Sequence, residues 1–131
     1  MIVEARDEKA FKQGHLPHSI NLMEGAKFET WLGSIIQPGE PFYLAGSSKE
    51  QLQNLLERIA AIGYEPQVKE AFVVQEAPEK SPHFKAAQLR ENEDAFTIVD
   101  VRNHSERAGQ VLFDKSLHIP LGDLRERVKV I

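Results

Sequence analysis

Two hydrophobic periods take turns along this chain. Short apolar runs, "IVEAR" from Ile2 and "FYLA" from Phe42 to Ala45, have the length and branching of strands in a parallel sheet. "FYLA" is continuous, as expected of a central strand buried on both faces. Between such runs, apolar residues recur three and four apart, the spacing of one helix face. Phe28, Trp31, Leu32 and Ile35 mark one helix, with Phe28 and Trp31 expected in the core. Leu52, Leu55, Leu56, Ile59 and Ile62 mark a longer one. Gly63 stands where a left-handed C-terminal cap is expected. Either Ser47 with Glu50 or Ser48 with Gln51 supplies the capping box at the other end. "DEKAFKQGH" gives a short helical turn anchored by Phe11 and stopped at Gly14. After the Pro17 break a strand is expected from Ser19 to Leu22, "QPGEP" makes a turn, and "EPQVKEAFVV" makes a further strand. Strands alternating with helices predict an α/β fold built on a mainly parallel sheet flanked by helices.

The pattern changes at Gln75–Pro82, where two prolines and mixed charge suggest a linker. Ser81-Pro82 matches an N-cap followed by proline in the first helical position, opening a helix through about Leu89. "FTIVDVR", Phe96 to Arg102, then reads as a strand, and "SLHIPLGDLRERVKVI" as a short strand and the start of a helix. This later stretch echoes the first. "IVEAR" returns as "IVDVR" at Ile98 to Arg102, a glycine follows each at Gly14 and Gly109, and "SINL" from Ser19 is answered by "SLHIPL" from Ser116. Three anchors in one order indicate a duplicated unit. The expected division is residues 1–75 as one unit, 76–82 as linker and 83–131 as the first half of a second. An incomplete second copy and an abrupt first strand lead us to expect a fragment of a longer protein.

Composition narrows the function. Net charge is −4, with no basic stripe, which argues against a nucleic-acid binder. No apolar run approaches the ~20 residues that span a bilayer, and no leader pattern precedes the first strand, so a cytoplasmic location without membrane attachment is expected. The chain has no cysteine, which removes disulfides, thiolate metal sites and thiol nucleophiles together. No motif implies a cofactor.

The residues "EARDEKAFKQGHLPHSINL", Glu4 to Leu22, resemble the rhodanese family. There a strand ending D-V-R leads through a short helix to G-H-I-P-G-A-x-N/H-I/L. Glu4 stands for the usual Asp and His18 for the usual Gly. "DVRNHSERAGQVLFDKSLHIPLGDLRER" from Asp100 resembles the pattern again, with "GQVLFDKS" in place of the G-H-I-P-G portion. The resemblance implies that the strand, loop and helix from Tyr43 to Tyr64 match the family's active-site segment, whose loop reads C-x-x-G-x-R-S. It also implies kinship with tandem rhodanese units fused to metallo-β-lactamase-fold domains in persulfide dioxygenase-like proteins.

Rhodanese chemistry needs a thiolate that accepts sulfane sulfur, held by loop amides and a helix N-terminus. Here Ala45 or Gly46 occupies the cysteine's place, followed by Ser47, Ser48 and Lys49. These five residues read as a vestigial anion loop, the serines as helix caps and no residue as catalytic. A serine- or histidine-based phosphatase-like reaction at the same loop is the competing reading. His15 and His18 have H-x-x-H spacing, but Pro17 separates them and no third ligand lies nearby, so no metal site is expected. His83, His104 and His118 are scattered. Asp100 with Arg102, and Glu4 with Arg6, are expected to fix loops by hydrogen bonds, and "DLRERVK" to be a solvated helix face. The expected partners are other domains of a parent protein, or a second chain forming a homodimer through the incomplete second unit.

Overall fold

The computed structural model describes residues 1–82 and 85–131. His83, one of the scattered histidines, lies outside the described residues. The chain divides into two compact units, Met1–His83 and Phe84–Ile131.

In the first unit the strands are β1 (Ile2–Glu4), β2 (Ser19–Asn21), β3 (Phe42–Gly46) and β4 (Val68–Val73). The helices are α1 (Glu8–Gln13), α2 (Phe28–Ile35) and α3 (Lys49–Ala61). The strands form one parallel sheet in the order β2-β1-β3-β4. Parallel neighbours need a crossover, and each βαβ step here supplies one through a helix or turn. Val3, Leu44, Ala5 and Phe42 lie in the core with Phe28 and Leu32 of α2 and Leu52, Leu55 and Ile59 of α3. Each buried leucine or isoleucine of this kind contributes roughly 1.5–3 kcal/mol of transfer free energy. Gly63 ends the α3 turn with φ +75°, as a C-terminal cap requires. Ser48 caps the other end, its Oγ accepting from the Gln51 N–H.

Four sequence expectations change. Trp31 is 40% exposed, outside the core where it was placed beside Phe28. The buried positions are Phe28, Leu32 and Ile36, so the apolar stripe drifts away from Trp31 as the helix turns. β3 is not buried on both faces, because Tyr43 is 42% exposed on the face opposite α2 and α3. Ser81 does not cap a helix, since the next helix, α4 (Ala86–Glu91), begins after Lys85. Finally, "FTIVDVR" is strand only at Val99–Asp100.

The proline-containing segment after β4 folds back on its own unit. His15 N–H donates to Glu79 C=O at 2.8 Å, Glu79 N–H to His15 C=O at 3.2 Å, and Ser81 N–H to Lys12 C=O at 3.3 Å. Gly14 is packed under this strap, where a Cβ would stand 2.5 Å from the Ala77 carbonyl oxygen.

In the second unit α4 is followed by β5 (Val99–Asp100), α5 (His104–Gly109), β6 (Leu117–His118) and α6 (Leu124–Arg127). β5 and β6 pair in parallel. Among the described residues no helix is long and apolar enough to cross a membrane.

Candidate functional site

The C-terminal ends of β1 and β3 converge with the N-terminus of α3. Parallel α/β sheets gather their chemistry at this edge, where loops meet helix N-termini. Ala45 and Gly46 end β3 and are buried, whereas Ser47, Ser48 and Lys49 are exposed. A Cβ on Gly46 would stand 2.9 Å from Gln51 Oε1 and 2.9 Å from Leu52 Cδ2. Its backbone must therefore approach α3 more closely than a side chain permits.

The loop is filled by its own helix. Gln51 Oε1 accepts from the Ser47 N–H at 2.8 Å and from Ser47 Oγ–H at 3.0 Å. Gln51 Nε2 donates to Ala5 C=O at 3.2 Å and to Glu24 Oε2 at 3.1 Å. Ser48 Oγ is held by the Gln51 N–H. Both serine hydroxyls are thus committed to shaping the loop. Sequence reasoning took Gln51 for a capping residue and missed its other contacts. The near-match of Ser48-x-x-Gln51 to a capping box was the available signal.

Beside this edge lies a buried carboxylate. Glu4 is fully buried and pairs with Arg6, while its Oε2 accepts from Leu16 N–H at 3.2 Å and Ser19 Oγ–H at 3.3 Å. Arg6 Nη2 also donates to Gly14 C=O at 2.6 Å. Asn21 Nδ2 donates to the carbonyls of Glu4 and Arg6. The second unit repeats this frame. Arg102 donates to both Asp100 oxygens and, through Nη2, to Gln110 C=O at 2.9 Å. His118 Nε2 lies 2.8 Å from Arg102 C=O, in the place of Asn21. Asp7 and Asn103 cap α1 and α5 alike, three residues after each acid. The hydrogen bonds from Arg102 hold the Asp100 carboxyl down at about 2. Each acid–arginine pair fixes the loop after a helix, as the sequence suggested.

The H-x-x-H residues do not converge. His15 stacks on Phe11 with ring centroids 4.3 Å apart, and its Nδ1 lies 3.1 Å from Phe11 C=O. His18 is exposed with φ +59°. Among the described residues no cluster of three or more His, Asp or Glu side chains has the arrangement of a metal site.

A parallel sheet with a helix N-terminus behind a central strand defines a class of α/β domains that hold anionic groups at one edge. The chain belongs to the Rhodanese-like domain family, whose match spans residues 1–73. No curated protein matches the chain. Residues 1–73 are thus a module of sulfurtransferase type.

Proposed function

We propose that residues 1–75 form a non-catalytic rhodanese-like module, acting as a scaffold or docking unit within a larger sulfurtransferase or persulfide-handling protein. The observation that carries this reading is the loop itself. Ala45 or Gly46 stands in the cysteine's place, a side chain on Gly46 would have to displace the ends of Gln51 and Leu52, and the loop's first amide is already bonded within the chain. Sulfane transfer proceeds through a thiolate, and no residue of this chain supplies one. Both serine hydroxyls are engaged with Gln51, which gives no support to a serine phosphatase.

Residues 83–131 are, on this reading, the opening half of a second such unit. The matching acid–arginine frames and helix caps support it. A parent in which a metallo-β-lactamase-fold domain accompanies tandem rhodanese units, located in the cytoplasm, fits the resemblance described above. Sulfur transfer from thiosulfate or glutathione persulfide to cyanide, followed with the purified chain, is the test. We expect a rate equal to the protein-free control, and turnover above it ends the reading.

A further inference from the structure

The Gln51 carboxamide is used to capacity. It has two N–H donors and an oxygen with two lone pairs, and all four find partners. Those partners belong to three separate segments. Ser47 lies between β3 and α3, Ala5 just beyond β1, and Glu24 in the connection from β2 to α2. The Glu24 N–H itself donates to Ala5 C=O at 3.2 Å, the same oxygen that Gln51 reaches. Seven residues further along α3, Arg58 holds the β2–α2 connection again. It donates to Gly25 C=O at 2.6 Å and pairs with Glu29.

We propose that Gln51 is an internal lock that closes the β3–α3 loop and ties it to the ends of β1 and β2 as one rigid edge. A ligand seeking the Ser47 N–H must first displace an acceptor that is covalently part of the chain and oriented by two further hydrogen bonds. Losing it breaks four bonds at once. The lock holds the turn of the loop through contacts supplied by the chain itself. Glu24 takes part in it through its carboxylate, which accepts from the Gln51 amide beside a helix N-terminus that itself favours an acid.

Amide hydrogen exchange on the full chain tests this, comparing the wild type with Gln51→Ala and Gln51→Glu. In Gln51→Ala we expect the Ser47 and Glu24 amides to exchange about five- to tenfold faster together, while Val3 and Leu44 keep their wild-type rates. In Gln51→Glu the acceptor remains, so Ser47 stays protected. The donor is lost, so Glu24 opens. Adding Glu24→Gln returns a donor to that contact and restores protection of the backbone amide at position 24. Ser47 opening without Glu24 in the alanine variant, or no change at either, overturns the lock. Should Gln51→Ala accelerate Leu44 as well, through general destabilisation, the glutamate variant and its rescue decide alone. The proposal rests on the non-catalytic reading, yet the two fail separately. Sulfur transfer by the wild type removes the reading, whereas unchanged exchange in Gln51→Ala removes only the lock.

Discussion

At the scale of single residues, burial decides which contacts matter. Glu4 is fully enclosed, and Arg6 is the cation paired with it. Removing one partner of a buried pair leaves an uncompensated charge, which costs far more than the pair gains. We expect Arg6→Ala to lower unfolding stability by about 3 kcal/mol in urea titrations with an unchanged m-value. Glu29 is a different case. Hydrogen bonds from the Arg58 side chain lower its carboxyl from 4.5 to about 2, and the pair sits at the surface. Because the folded value is depressed, the stabilisation is present above the unfolded value and disappears as pH falls from about 4.5 toward 2. The melting temperature of the wild type should therefore exceed that of Glu29→Gln near neutrality and converge with it at the acid end of that window. Trp31 and Phe28 form a third contrast. Phe28→Ala should cost roughly 3–5 kcal/mol, while Trp31→Ala should cost less, about 1–2 kcal/mol, since 40% of Trp31 is already exposed to water.

At the scale of elements, the legible parts were those that local chemistry dictates. α3 was readable because three signals agree: leucines and isoleucines at helical spacing, a serine cap and Gly63 at positive φ. β1 and β3 were readable as short apolar runs, and β2 and β4 from the turn residues that bound them. The strap over α1 was not, because its bonds join backbone atoms of His15 and Glu79 and leave no trace in side-chain pattern. Exposure of Tyr43 was hidden for a related reason. An apolar run signals a strand, but which of its faces is covered depends on elements elsewhere in the chain. The missing cysteine was plain from the sequence, whereas the crowding of Gly46, one of its two candidate places, comes from α3. A cysteine there must push aside Gln51 or Leu52, and overpacking of this kind typically costs about 1–3 kcal/mol. We expect Gly46→Cys to melt lower than the wild type and to show no sulfur transfer, measured by calorimetry and the cyanide assay on one preparation.

At the scale of the whole molecule, the two units are unequal in what they enclose. Residues 1–82 contain a continuous core between the sheet and one face each of α2 and α3, but among the described residues of the second unit the buried hydrophobic side chain is Ile119. Val101, Val111, Leu112 and Leu117 are exposed. In the first unit β1 is flanked on both sides, and bonds such as Ala5 N–H to Ala45 C=O at 2.7 Å satisfy its second edge. β5 has β6 as its strand partner among the described residues, and the side equivalent to β3 carries no strand there. A strand edge with apolar neighbours is a template for pairing. Light scattering over a concentration series should thus show a mean mass that rises above the monomer, with the β5 amides gaining protection in step. Val101→Lys places a charge on that edge and should hold the chain monomeric without changing the melting of residues 1–83. A constant monomer mass with freely exchanging β5 amides would mean that the edge recruits nothing, and that the exposed side chains of the second unit are tolerated in water.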